Sequence, residues 1–301
     1  MTRLDRRLQI AYDRCKQIAL GHYENFPVGS LLVPRKIRPH IYALYAFMRT
    51  ADDFADLPHR LPAERLRLLA DWRTHLDHAI AGELPSDPVF FALQHTFRTF
   101  DLPPNPFYLL LDAFEFDARG AVQFETFGDL HWYTERSAEP VGQLVLALFG
   151  YRDDERIQWS NDICTALQLL NFLQDAKDDL TEGRCYFPEE DYRKFGISSA
   201  RPTVAAKDIL SSSQTGALIL FECERIAGLL LSGAKLPEHV NGRFKFELRA
   251  VLHGAHSILR KIREIKGDTI RSRPKLSTRE QRSILLAALS GNRLNLDFMR
   301  F

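Results

Sequence analysis

Apolar residues recur at three- and four-residue spacing along most of the chain, as in LRLLADWRTHLDHAIAG, PFYLLLDAFEFDARG, DICTALQLLNFLQDAKDDL and TGALILFECERIAGLLLSGAKL. That period belongs to helices burying one face, and strand-like alternation is scarce. The breaks GELPSDPV (82–89), DLPPNPF (101–107), GISSARPTV (196–204) and SRPKLS (272–277) are short and rich in Pro, Gly or Ser. None has the length of a domain linker, so the pattern predicts one all-α domain over 1–301, a single large bundle of about ten helices. With 45% hydrophobic residues in 301, a sizeable core is within reach.

Several function classes fall away at this level. Forty Lys and Arg balance 39 Asp and Glu, so no bulk field favours nucleic acid, although residues 260–275 (RKIREIKGDTIRSRPK) form a local basic run. Cys15, Cys164, Cys185 and Cys223 are scattered singly, without the pairing that a zinc or redox motif needs. No HExxH and no GxGxxG is present, which leaves zinc hydrolysis and a Rossmann-type nicotinamide site without support. The opening MTRLDRRLQIAYDRC is charged throughout, and no run approaches the roughly 18 apolar residues of a membrane span. A cytoplasmic setting is expected, with peripheral contact at the inner face of a membrane left open through LLLSGAKL or the basic run.

Two segments carry acid where the pattern is otherwise apolar. RTADDFAD (49–56) places Asp52 and Asp56 one turn apart, with Asp53 beside them, and NFLQDAKDD (171–179) places Asn171, Asp175 and Asp179 at i, i+4 and i+8. One Asp-rich turn ordinarily means a solvated face. Two such ladders in apolar helices are different, because burying carboxylates without a cation costs roughly several kcal/mol per ion. Their oxygens suit Mg²⁺, which prefers hard ligands and shares the phosphate oxygens of a substrate. Metal and diphosphate binding is therefore the favoured account, and a non-catalytic helical protein that binds prenyl lipid is the rival from another class.

Three stretches carry a resemblance that covers residues 20–265: HYENFPVGSLLVPRKIRPHIYALYAFMRTADDFAD, YTERSAEPVGQLVLALFGY and CTALQLLNFLQDAKDDLTEGRCYFPEEDY. In content and order they resemble the squalene/phytoene synthase family. The resemblance implies an isoprenoid-synthase bundle with a central cavity, in which two aspartate-rich helices face each other. It implies Mg²⁺ held by Asp52, Asp53, Asp56, Asn171, Asp175 and Asp179, diphosphate contacts from Arg49, Arg184, Tyr186 and His22, and catalytic roles for Tyr133, Tyr45 and Gln168. For Arg49 an ion pair with Asp52 is the alternative, for Arg184 a helix cap, and for the tyrosines and Gln168 core packing.

Within the family, HYENFPV, SAEPVG and CTALQLLNFLQD are similar to the branch that turns presqualene diphosphate into hydroxysqualene on the way to hopanoids, alongside other enzymes of that pathway. Other branches carry basic residues where this chain has Glu24 and Gln174, which argues for a one-substrate lyase. The alternative within the family is head-to-head prenyl transfer, giving presqualene diphosphate, squalene or phytoene.

Overall fold

The computed structural model describes residues 3–21, 33–57, 59–120, 122–197 and 202–290. The fold is all-α. Among the described residues the helices are α1 (Arg3–Gly21), α2 (Arg38–Ala55), α3 (Pro62–Ala81), α4 (Pro88–Phe100), α5 (Asn105–Ala118), α6 (Phe127–Ser137), α7 (Glu139–Leu148), α8 (Asp154–Thr181), α9 (Glu189–Lys194), α10 (Pro202–Ser211), α11 (Thr215–Gly233), α12 (Gly242–Glu264) and α13 (Thr278–Ser290), with a 3-10 turn at Leu236–His239. They number more than the expected ten because prolines start short separate helices: Pro140 opens α7, Pro188 precedes α9 and Pro202 opens α10. Proline fits a first turn, where its missing N–H costs nothing, and ends whatever helix precedes it.

The chain groups into two compact units, Met1–Gly120 with Pro140–Ile157 and Ala121–Glu139 with Gln158–Phe301. In the first, α2 packs on α1, α3, α4 and α5. Its buried stripe runs His40, Leu44, Phe47, Ala51, Ala55, a 3.6-residue period that sets which side chains remain outside it. Phe47 anchors the stripe, its ring 5.3 Å from Phe107 and 6.0 Å from both Trp72 and Phe90. A polar knot fixes α1 to α2 and α4: the Tyr12 hydroxyl lies 2.9 Å from His40 Nδ1 and 3.0 Å from Thr96 Oγ1.

The second unit is built on α8, which buries Ile163, Ala166, Leu170, Leu173, Ala176 and Leu180. After α8, Gly183 turns the chain in the left-handed region (φ 83°) and the Arg184 amide bonds back to the Asp179 carbonyl at 2.8 Å, a helix stop that glycine permits. The strand-like run beyond it is tied to the segment before α6 by backbone bonds from Cys185 to Val122 (3.0 Å) and from Glu189 to Phe124 (2.9 Å). LLLSGAKL belongs to the core, with Leu230 and Leu236 fully buried; among the described residues the exposed leucines of this unit are Leu285, Leu286 and Leu289 on α13. No helix among the described residues is long and apolar enough to cross a membrane, and all four cysteines are free thiols.

Close backbone approach fixes the start of α11 against the turn after α12. Gly267 has φ 77°, and a Cβ there would stand 2.2 Å from the Gly216 carbonyl oxygen. Gly267→Ala is therefore expected to cost about 2–4 kcal/mol, from left-handed strain plus the forced backbone shift. Gly228 on α11 has nothing within 4 Å of a Cβ, so Gly228→Ala is expected to hold or raise the Tm. Thermal melts followed by circular dichroism separate the two, and an unchanged Tm for Gly267→Ala overturns the reading.

Candidate active site

The side chains of α2 adjacent to its buried stripe are Tyr45, Arg49, Asp52 and Asp56, one helical turn apart each. Tyr45 packs half-buried against the core of its unit. Arg49 binds both acids ahead of it, Nη1 to Asp52 at 3.2 Å and Nη2 to Asp53 at 2.7 Å. Burial works against its charge, but the pull of Asp52 and Asp53 outweighs burial and raises its pKa. Asp56 is exposed and closes the helix, its amide bonded to the Asp52 carbonyl at 3.0 Å. The α2 ladder is thus a half-exposed acidic edge held by one arginine.

On α8 the helix period brings Gln168, Asn171, Asp175 and Asp179 onto one side, while Lys177 and Asp178 face solvent. Burial pushes the Asp175 pKa up, opposed by Arg273 and reinforced by Asp178. Asp179 is more deeply placed: burial drives its pKa to about 6 against the pull of Arg184, with Asp175 and Glu182 adding to the rise. Each acid has an arginine on it. Arg184 reaches Asp179 at 3.0 Å and Glu182 at 2.8 Å, and Arg273 reaches Asp175 at 2.5 Å.

Arg273 is a site residue that the sequence reading passed over inside its basic run. Its placement depends on Gln174, which is buried and donates its side-chain N–H to the Pro274 carbonyl at 2.7 Å. The bond ties the Arg273–Lys275 segment to α8 one residue before Asp175. Tyr133, on α6, is buried and joins an aromatic cluster: Phe172 and Tyr186 stack at 3.7 Å with planes 4° apart, and Tyr133 lies 6.4 Å and 6.1 Å from them. The Gly183 turn therefore serves both ends of GRCYFP, setting Arg184 on Asp179 and Tyr186 on Phe172. His22, like the rest of HYENFP, lies outside the described residues.

The two ladders offer only oxygen donors, carboxylates plus the Asn171 amide, and that set suits a hard divalent cation. Among the described residues no three His, Cys, Asp or Glu side chains converge as a ready cage; arginines hold the acids instead. Added positive charge beside Asp175 and Asp179 would relieve the burial penalty that raises both pKa values. On donor chemistry and on electrostatics the residues fit Mg²⁺.

Comparison with known proteins follows the same lines. The Squalene/phytoene synthase family matches residues 20–280. The squalene synthase HpnC of Alicyclobacillus acidocaldarius superposes with a TM-score of 0.78 at 37% identity, over 86% of this chain and 95% of that one. A hydroxysqualene synthase of Zymomonas mobilis is 36% identical over 60% of each chain. A presqualene diphosphate synthase of Rhodopseudomonas palustris is 32% identical over 64% of this chain and 67% of its own. With the family's sequence pattern spanning most of its length and an all-α architecture shared with a solved member, the chain belongs to the squalene/phytoene synthase family of enzymes.

Proposed function

We propose that this enzyme converts presqualene diphosphate to hydroxysqualene, releasing diphosphate and closing the reaction by addition of water to a carbocation. The observation that carries the reading is Gln174. The position next to Asp175 holds a neutral amide, and that amide is committed to the Pro274 carbonyl, so it offers no cation for a second diphosphate. One diphosphate-bearing substrate is what such a site suits, and the 36% identity to a hydroxysqualene synthase agrees.

Mg²⁺ would be held by Asp52, Asp53 and Asp56 on α2 and by Asn171, Asp175 and Asp179 on α8, and when bound it supplies charge neutralisation to the departing diphosphate. The arginines do the rest of the electrostatic work: Arg49, Arg273 and Arg184 carry donors able to turn from carboxylate to phosphate oxygens. Tyr133, Phe172 and Tyr186 form a wall whose ring faces steady a cation and keep bulk water away. Tyr45 and Gln168, half-buried beside the two ladders, orient the groups around them. Contact with a membrane, suited to so apolar a substrate, is assigned to the exposed leucines of α13.

Purified protein given Mg²⁺ and presqualene diphosphate is expected to yield hydroxysqualene, detected by gas chromatography with mass spectrometry. A 32% identical presqualene diphosphate synthase favours the second reading, head-to-head condensation, and product from farnesyl diphosphate alone would establish it instead. Prenyl-lipid binding without turnover of either substrate would leave the non-catalytic account standing.

A further inference from the structure

Helix α13 packs on α12 and divides its residues by side. Glu280, Ile284 and Ala288 recur at four-residue spacing and mark the packed side, where Glu280 pairs with Lys261 of α12 at 2.9 Å and Ala288 is fully buried. The opposite side carries Arg279, Arg282, Leu286 and Leu289, with Leu285 at its edge, and all five are exposed. Leu286 stands 68% exposed, Leu289 47% and Leu285 43%. Single exposed leucines need no account, but three clustered on one side of a helix do.

The same stretch is basic. From 271 to 290 the chain holds Arg271, Arg273, Lys275, Arg279 and Arg282 against one acid, Glu280. That acid is committed: besides Lys261, it accepts from the Ser277 amide at 2.8 Å and so closes the first turn of α13. Arg271 leans on Asp268 at 3.5 Å and Arg273 on Asp175 at 2.5 Å. Arg279 and Arg282 are exposed and join no ion pair among the described residues. Two backbone contacts hold the approach to the helix, the Pro274 carbonyl accepting from Gln174 at 2.7 Å and the Lys275 carbonyl from Lys261 at 2.8 Å. The arginines and leucines therefore project from a base tied to α8 and α12.

Leucines in line with unpaired arginines match a bilayer whose headgroups carry phosphate above acyl chains. The leucines enter the acyl boundary, and guanidinium groups a turn or two away reach the phosphate oxygens. Resting on the reading above, in which the substrate is a long hydrocarbon carrying a diphosphate, we propose that the outward side of α13 docks this enzyme on an anionic lipid bilayer, with Leu285, Leu286 and Leu289 among the acyl chains and Arg279 and Arg282 on lipid phosphates. Both halves are needed: three leucines bury little area on their own, and two arginines on their own are screened by salt. Lipid charge, and not only the apolar interior, then decides whether the protein binds.

The test is co-sedimentation of the full chain with vesicles of phosphatidylcholine alone and of phosphatidylcholine mixed with phosphatidylglycerol, without substrate. Wild type is expected to bind the anionic vesicles at least about tenfold more tightly, and to lose that preference at about 1 M salt, where the screening length is about 3 Å. The double changes Leu286→Gln with Leu289→Gln, and Arg279→Gln with Arg282→Gln, are each expected to weaken binding to anionic vesicles at least about tenfold. Circular dichroism should show both variants folded, since all four side chains are exposed. Equal binding of wild type to the two vesicle types overturns the proposal, as does wild-type binding by either variant. A wild-type dimer in light scattering that Leu286→Gln with Leu289→Gln breaks gives the face to a second copy of the chain and overturns it too. Docking by a protein that makes no hydroxysqualene refutes the reaction reading alone, whereas hydroxysqualene made in detergent by a protein that ignores anionic vesicles refutes this proposal alone.

Discussion

Replacing Asp175 by alanine is expected to lower turnover of presqualene diphosphate by at least about 10³-fold, or roughly 4 kcal/mol of transition-state stabilisation, without unfolding the protein. The acid is part-exposed and held by one external partner, Arg273, so its loss leaves no cavity in the core. Asp52→Ala on α2 is expected to act alike. Asp178→Ala supplies the contrast: Asp178 is likewise an aspartate and lies three residues from Asp175, but it faces solvent, and a change of less than about threefold is expected. Initial rates of diphosphate release at saturating Mg²⁺, with circular dichroism as the control for folding, decide the matter. Equal effects at Asp175 and Asp178 would mean that the ladder face has no special standing, and full activity in Asp175→Ala would remove the metal-ligand assignment.

What separates Asp175 from Asp178 is exposure, which the structure shows, because residues three apart share a helix face; the spacing of the ladders themselves was legible from the residues alone. Asn171, Asp175 and Asp179 recur at four-residue spacing, as do Asp52 and Asp56, and α2 and α8 place each set on one side. The breaks at 82–89, 101–107, 196–204 and 272–277 likewise fall between helices, at α3/α4, α4/α5, α9/α10 and α12/α13. Long-range pairings were not legible. Arg273 and Asp175 are 98 positions apart, and nothing in the local pattern of SRPKLS distinguishes an arginine bound to an acid from one in solvent. In the sequence Gln174 shows only the lack of a cation, whereas its role as a tether to Pro274 rests on a contact 100 positions away.

The buried acid Glu222 on α11 is an intermediate case. In FECERI the two glutamates look alike, yet Leu218, Glu222, Ile226 and Leu230 recur at four-residue spacing and all four are buried, while Glu224 is exposed. An acid on an apolar stripe was the available signal. LLLSGAKL shows the opposite limit, since an apolar face turned to the core and one turned to a membrane have the same sequence pattern, and Leu230 and Leu236 proved to be core.

Asp179→Asn is expected to stabilise the protein while disabling it. In the folded chain burial lifts the Asp179 pKa from 3.8 to about 6, so the carboxylate is less at ease folded than unfolded. The sign follows: above pH 6 both states are ionised and the folded state bears the full penalty, which fades as pH falls from 6 toward 4 and the folded state takes up its proton first. A shift of that size corresponds to about 3 kcal/mol at most. Asparagine removes the penalty but weakens the hold on Arg184, which keeps Glu182 at 2.8 Å, an offset of about 1 kcal/mol. The net gain should be about 1–2 kcal/mol at pH 7–8 in Mg²⁺-free buffer, a Tm increase of a few degrees that shrinks toward pH 4. Turnover should fall by at least about 10²-fold, because a neutral amide is a poorer ligand for the cation that the carboxylate is destabilised to receive. A Tm at pH 8 equal to or below that of wild type would show that Asp179 is satisfied by Arg184 alone, and that the α8 ladder is an ion-pair array rather than a site awaiting charge.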